Sequence, residues 1–300
     1  MEKSTQETVL YAFIVSNVIL GGCFCLVGCL ETQPSEIRPE FLQPIAKAAS
    51  MKNSTYSYVT NHLTFTSSEY YGVEATLDVY GLSLQPGQQS EGGIWITSGD
   101  GGSSSPIEGM HIGWHIHPRL YKDSRTHFYV GWESDLSSPP TGCFNMICDG
   151  FRNLSSSITP GDVINPVSSI NGNKQYITVR IFKDKTSGDW NVYYGLNSSP
   201  KKVGYFPKSL LPAMIDKPVQ LRLGGYVSHE KPTPSPPMGN GNAPSSGSAA
   251  SVSSIKLIDA DGNDLMGNTN LRYYESRPDC YSLSRIDSGR FFYGGPGCTD

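Results

Sequence analysis

The chain has 300 residues, a formal net charge of −4 and only 17% charged side chains. So weak a negative balance argues against a nucleic-acid or acidic-membrane partner, since both select concentrated positive charge. With Gly 32, Pro 21 and many Tyr, Ser and Thr, the composition favours strands and turns over helices.

Residues 9 to 30, VLYAFIVSNVILGGCFCLVGCL, form an uncharged apolar run behind a short polar segment containing Lys3. The run (segment 1 to 30) reads as a secretory signal peptide. It is long for a signal and its flank is not clearly basic, so an uncleaved signal anchor is the other reading. Either way the remaining chain faces a lumen or the outside. A secreted, extracellular protein is therefore expected, with a membrane as partner only if the segment is retained. Cys23, Cys25 and Cys29 belong to that segment. The other four cysteines sit as local pairs, Cys143 with Cys148 and Cys280 with Cys298. An even set in an oxidising compartment reads as two short-loop disulfides, with a zinc site as the rival. The sequons at Asn53, Asn153 and Asn197 are glycosylation candidates in that compartment.

Residues 31 to 59 make a polar lead without a core pattern, and 60 to 300 read as one domain. Its short runs alternate or are β-branched: HLTFTS, GVEATLDVYGLSL, GGIWITSG, MHIGWHIH, THFYVGW, QYITVRIF, DWNVYYGL, PVQLRLGGYVS and SVSSIKLIDA. Gly, Pro, Asn and Asp clusters separate them, which predicts an all-β sandwich. Only SLLPAMID, residues 209 to 216, reads as a short helix. Residues 230 to 250 are too rich in Pro, Gly and Ser to order themselves and read as one long surface loop. Trp95, Trp114 and Trp190 lie in apolar strand patterns and are expected in the core. The YGGPGC tail reads as a tight turn closed by Cys298.

Residues 110 to 121, MHIGWHIHPRLY, place His111, His115 and His117 where a strand points them to one face. Three imidazoles on a face allow a metal site. Positions on one strand converge poorly on one ion, however, and no Asp or Cys companion is identifiable. No metal and no cofactor is expected. Polar residues on the wet face of a sheet are the plainer reading.

The stretches YYGVEATLDVY (70 to 80), GGIWITSGDG (92 to 101), IGWHIHPRLYKDSRTHFYVGW (112 to 132), TGCFNMICDGF (141 to 151), DWNVYYGLNSSPKKVGYFPKSL (189 to 210), LRLGGYV (221 to 227), MGNG (238 to 241) and FFYGGPGC (291 to 298) carry a family resemblance. In order and spacing the chain resembles the neprosin family, a largely plant group of secreted, proline-cleaving glutamic peptidases. The resemblance runs from residue 60 to 298. It implies an antiparallel β-sandwich of two facing sheets with two catalytic glutamates across a cleft. One carboxylate would deprotonate the attacking water and the other would act as acid and hold the oxyanion. Two close carboxylates push their pKa values apart, which suits acid pH.

The family places these glutamates in an I-E-A-G-W motif and a W-G-G-E-[IV] motif. Laid on this chain, the first becomes Met110-His111-Ile112-Gly113-Trp114 and the second Leu223-Gly224-Gly225-Tyr226-Val227. His111 and Tyr226 therefore stand where the resemblance places the catalytic pair. His115, His117 and Trp114 are the accompanying cleft candidates. An imidazole is mostly charged at acid pH and a phenol with pKa ~10 is a poor acid. Glu108 lies on the opposite strand face nearly 10 Å along at ~3.3 Å per residue, and Glu74 has no catalytic counterpart in the family pattern. Family members also carry a pro-segment that masks the cleft, whereas only a short lead separates the apolar run from the first expected strand. The resemblance thus implies the fold without the peptidase activity, its cleft holding a proline-rich peptide or a cell-wall polymer. An acid peptidase with a rearranged site is the alternative. A carbohydrate-binding sandwich, suggested by Tyr121, Tyr129, Trp132 and Tyr194, is a third reading.

Overall fold

The computed structural model describes residues 54–64, 71–98, 108–134, 136, 141–170, 172–215, 219–265 and 271–298. The apolar N-terminal run and the Asn53 sequon lie outside the described residues. In chain order the strands are β1 (Ser54–Thr64), β2 (Gly72–Asp78), β3 (Gln88–Ser98), β4 (Glu108–Ile116), β5 (His127–Ser134), β6 (Thr141–Phe144), β7 (Arg152–Asn153) and β8 (Tyr176–Lys183). They continue as β9 (Trp190–Leu196), β10 (Lys201–Phe206), β11 (Val219–Glu230), β12 (Ala250–Ile258), β13 (Asp264–Leu265), β14 (Arg272–Glu275), β15 (Ser282–Leu283) and β16 (Phe291–Gly294). One short helix, α1 (Pro118–Tyr121), follows β4.

Two antiparallel sheets result, so the chain is an all-β sandwich. The first runs β14-β1-β11-β3-β4-β5-β6, and the second runs β15-β16-β12-β2-β8-β9-β10-β7 with β13 on β12. Alternation along each strand decides what lies between them. From β4, Met110, Ile112, Trp114 and Ile116 enter one core with Ile94 and Ile96 of β3, Leu221 and Leu223 of β11, and Val73, Ala75 and Leu77 of β2. Each such aliphatic side chain contributes about 1.5 to 3 kcal/mol by leaving water. The Trp114 Nε1 donates to the Asp78 carbonyl at 2.9 Å and so ties the two sheets together.

Period two has a direct cost for one expectation. Trp114 points into the core, so it is not a cleft residue; Gly113 and His115, its neighbours, face the other way. Trp190 also enters the core, whereas Trp95 packs on the outer face of the first sheet with Tyr58 and Tyr226. The aromatics that suggested a carbohydrate platform do not form one: Tyr129 is fully buried and Tyr194 belongs to the core.

Three further departures have plain causes. In place of the helix expected at 209 to 216, the described residues form two 3-10 turns, Lys208–Leu210 and Pro212–Met214, because Pro212 interrupts the helical hydrogen-bond pattern. The Pro-rich stretch is not surface filler. Ser235, Met238 and Asn240 are buried, the Met238 N–H donates to the Gly295 carbonyl at 3.0 Å, and Met238 reaches the core over Gly225. A Cβ on Gly225 would stand 2.7 Å from the Met238 sulfur, so only glycine leaves that path open. Finally, β1 begins at Ser54, inside the expected polar lead, and buries Tyr58 and Val59. Both expected disulfides, Cys143–Cys148 and Cys280–Cys298, are formed.

Candidate functional site

Register across the first sheet sets one rung of side chains on its outer face. Tyr58 pairs with Tyr226, Tyr226 with Glu91, Glu91 with His115, and His115 with His127. The rung crosses β1, β11, β3, β4 and β5. Two rungs away, Arg222, Trp95, His111 and Gly131 form a parallel row. Tyr226 and His111 therefore share a face but are offset by two strands and four residues. With ~4.8 Å between strands and ~3.3 Å per residue, their α-carbons would lie roughly 16 Å apart on a flat sheet.

Between the two rows, Gly224, Gly93 and Gly113 are level with one another and leave a band without side chains. Tyr129, paired with Gly113, lies along it, and a Cβ on Gly93 would meet the Tyr129 hydroxyl at 3.1 Å. Gly93 is also the midpoint of the diagonal from His111 to Tyr226.

Among the described residues His111 makes ring contacts, and its Nδ1 has no hydrogen-bond partner. Its ring stands over Gly131, where a Cβ would lie 2.3 Å from the imidazole Nε2. It meets Tyr129 and Phe144 edge-on at 5.4 and 5.2 Å. Burial pushes its pKa down to about 3, so it stays a neutral aromatic ring through the mildly acid range. Tyr226 is fully buried against Tyr58 and Trp95. Neither residue supplies a carboxylate.

A carboxyl does lie on this face, at a position that the sequence reading passed over. Glu91 on β3 is fully buried beside Tyr226, and its Oε1 has no hydrogen-bond partner among the described residues. The Gln89 Nε2 donates to its Oε2 at 3.3 Å, and the His115 Nδ1 lies 3.8 Å from the same oxygen. Burial pushes the Glu91 pKa up to about 8, against a smaller opposing pull from hydrogen bonding with the Gln89 and Tyr129 side chains. The signal was present in QQSEGGIW: period two puts Gln89, Glu91, Gly93 and Trp95 on one face. Placing that face beside His115 required the strand register.

His115 is fixed from its far side. Its Nε2 lies 2.5 Å from the Tyr121 hydroxyl, which accepts a hydrogen bond from the Asn145 Nδ2 at 2.7 Å. The phenolic proton is thereby directed to Nε2, and the network assigns the neutral imidazole's own proton to Nδ1, on the Glu91 side. The ring stacks on Tyr129 at 4.2 Å with 12° between planes. Burial, helped by the neighbouring imidazoles, holds the His115 pKa well below its usual value. Local sequence sets this up. Pro118 opens α1, the His117 side chain accepts from the Leu120 N–H at 3.3 Å, and Lys122 ends the helix with φ 65. One turn of helix thus carries Tyr121 back over His115.

On the next rung, Gln89 pairs with Ser228. A cavity of about 20 Å³, lined by Gln89, His117, Ser228 and His229 among others, opens there. That is room for a single water molecule.

The other carboxyls examined from sequence are structural. Glu108 faces the opposite side from His111, accepting from the Ser134 Oγ at 3.0 Å and the Ala213 N–H at 2.5 Å. Glu74 lies on the second sheet and pairs with Arg180 and Lys256. Asp279, Cys280 and Cys298 come within metal-ligand reach of one another, but both sulfurs are committed to the disulfide. Asn153 is half-buried with its amide donating to the Ser155 carbonyl, and Asn197 is exposed with its amide donating to Gln175.

A sequence model of the family described as Neprosin matches residues 86–296. Among solved structures, the chain is similar to scytalido-glutamic peptidase with a transition state analog inhibitor. That match has 10% identity, spans 82% of this chain and 99% of the other, and has a TM-score of 0.41. It is also similar to SCP-B, a member of the eqolisin family of peptidases in complex with the tripeptide Ala-Ile-His, at 10% identity, the same coverage and a TM-score of 0.37. A Bacteroides ovatus GH16 protein in complex with its glucan product matches at 13% identity over 60% of this chain and 69% of the other, with a TM-score of 0.33.

Proposed function

Because the chain belongs to the Neprosin family, we propose that it is a secreted protein whose histidine-bearing sheet face holds an extended, proline-containing peptide without the family's two-glutamate hydrolysis. What carries this is the pair His111 and Tyr226, which the resemblance puts at the two glutamate positions and which share one face of the first sheet. A buried neutral imidazole and a buried phenol cannot activate water and protonate an amine at acid pH in the way two carboxyls do. What supports a proline-containing peptide as the occupant is the family resemblance; the rings of Tyr58, Trp95, Tyr226, Tyr129 and Phe144 on this face are buried. Secretion, with glycosylation at Asn53, Asn153 and Asn197, belongs to the same reading. The two disulfides support it.

The test is cleavage of a proline-containing quenched-fluorescent peptide between about pH 2.5 and 5, the range in which ordinary carboxyls titrate. Native protein is expected to be silent there while binding the peptide. Acid cleavage by the native protein would refute the reading.

A further inference from the structure

The outer face of the second sheet carries a band of aromatic rings that neither the core nor the histidine-bearing face uses. Alternation sends Val179 and Ile181 of β8, Val192 and Tyr194 of β9 and Val203 of β10 into the core. Arg180 and Phe182, Asn191 and Tyr193, and Lys202 therefore turn outward. A register shift between Lys202 and Gly204 returns Tyr205 to the same face. Two rungs result. Glu74, Arg180, Tyr193 and Lys202 are level on one, and Phe182, Asn191, Tyr205 and Arg152 on the next. We propose that this band binds an acidic polysaccharide, one whose sugar rings carry carboxylates, at a site separate from the peptide-holding face.

The rings suit a sugar chain. Phe182, Tyr193 and Tyr205 zigzag across three adjacent strands, each partly exposed. Phe182 and Tyr193 stack at 5.8 Å with 24° between planes. The Arg180 guanidinium lies 5.3 Å from the Phe182 centroid, so Phe182 braces Tyr193 while Tyr193 and Tyr205 are left to meet a ligand. Flat, partly wet rings held in fixed orientation fit the C–H faces of pyranose rings. Asn191, between Phe182 and Tyr205, is only 7% exposed, and its amide has no hydrogen-bond partner among the described residues. An amide in that state is costly, and it both donates and accepts, as a sugar hydroxyl does. The Tyr193 and Tyr205 hydroxyls make no hydrogen bond among the described residues either.

The acidic character follows from which cations are already spent. Arg180 and Lys256 are paired with Glu74 and Asp264. Lys202 and Arg152, at the other end of the band, are exposed, and among the described residues no carboxylate lies within ion-pair distance of either. The Lys202 ammonium stands 5.8 Å from the Tyr205 centroid, and Arg152 is level with Tyr205 on the neighbouring strand. A carboxylate on a sugar beside Tyr205 would meet both cations. An extended peptide fits less well. The band crosses β8, β9 and β10 inside the sheet, where the backbone groups are engaged in the ladder and offer no edge to extend.

Calorimetric titration of the secreted protein with oligogalacturonate, its methyl ester and cello-oligosaccharide separates charge from ring stacking. Native protein is expected to bind the acid at least about ten-fold more tightly than either neutral chain. Tyr193→Ala/Tyr205→Ala should weaken every chain by about ten-fold or more. Lys202→Gln/Arg152→Gln, at exposed positions, should erase the preference for the acid and leave the ester unaffected. Raising salt from about 50 to 500 mM should weaken the acid alone. Tyr193→Phe/Tyr205→Phe keeps the rings and should still bind, which carries the test if the alanine variant melts early. Equal affinity for the acid and its ester, or a preference that survives loss of both cations, overturns the acidic class. Affinity unchanged in a folded Tyr193→Ala/Tyr205→Ala protein overturns the site. Native protein that binds none of the three chains, including one captured only by anionic lipid vesicles, refutes the proposal.

Discussion

Replacing Glu91 by Gln should change how stability depends on pH in a way that isolates one proton. The ordinary value for the group is 4.5 and burial raises it to about 8 in the fold. Between those limits the folded chain keeps a proton that the unfolded chain has released, so stability falls as pH rises. At about 1.4 kcal/mol per pH unit, the native protein loses about 3 kcal/mol between pH 4 and pH 7 through this group, and Glu91→Gln loses none of it. For a domain of this size that is roughly 10 °C in melting temperature. The assay is a thermal melt of both proteins in matched buffers at steps from about pH 4 to 8. Buried neutral histidines act in the opposite sense. His111, with its pKa pushed down to about 3, resists protonation in the fold while the unfolded chain accepts it, so stability falls as pH drops below about 6.5. His115 adds to that loss. These contributions are common to both proteins, so the readout is the difference between the two curves. It should be smallest at pH 4 and widen steadily towards pH 8. Parallel curves over the whole range would refute the placement of Glu91 as a desolvated carboxyl.

Two other outcomes test the packing. Gly131→Ala should cost about 1 to 3 kcal/mol, because the new methyl would lie 2.3 Å from the His111 Nε2; adding His111→Ala should recover most of that loss in urea unfolding, and simple additivity would count against the contact. Cys298→Ser should cost about 3 kcal/mol, since Cys280–Cys298 closes a loop with a separation of 18 residues. Normal secretion yield and an unchanged melting temperature in that variant would show that the tail is not anchored by the bond.

What could be read from the sequence follows from which interactions are local. Alternation along each run is a local property, so the all-β class and most of the core follow from it. The same alternation already separates Trp114 from His115, and the motif placed it at the cleft only by association. Residues 209 to 216 carry helix-compatible side chains, but Pro212 removes the donor a helix needs there. The Pro-rich segment misleads through composition: Met238 is a single apolar anchor whose burial depends on Gly225 and Gly295, far away in the chain. Glu91 is the instructive omission. Its face is readable from QQSEGGIW, but its neighbours Tyr226 and His115 come from two other strands. Their approach depends on register, which no window of sequence contains.

The imidazole over Gly131 has a consequence for anyone attempting to convert this face into a two-glutamate site. His111 and Gly131 behave as a lock and its key. Enlarging residue 131 alone collides with the ring, while His111→Glu puts a carboxyl where a neutral buried ring stood. Each change is harmful while the other is absent, so a path between the two chemistries runs through a paired exchange. A library designed around position 111 by itself will sample mostly destabilised proteins, and the productive search is two-dimensional, over 111 and 131 together.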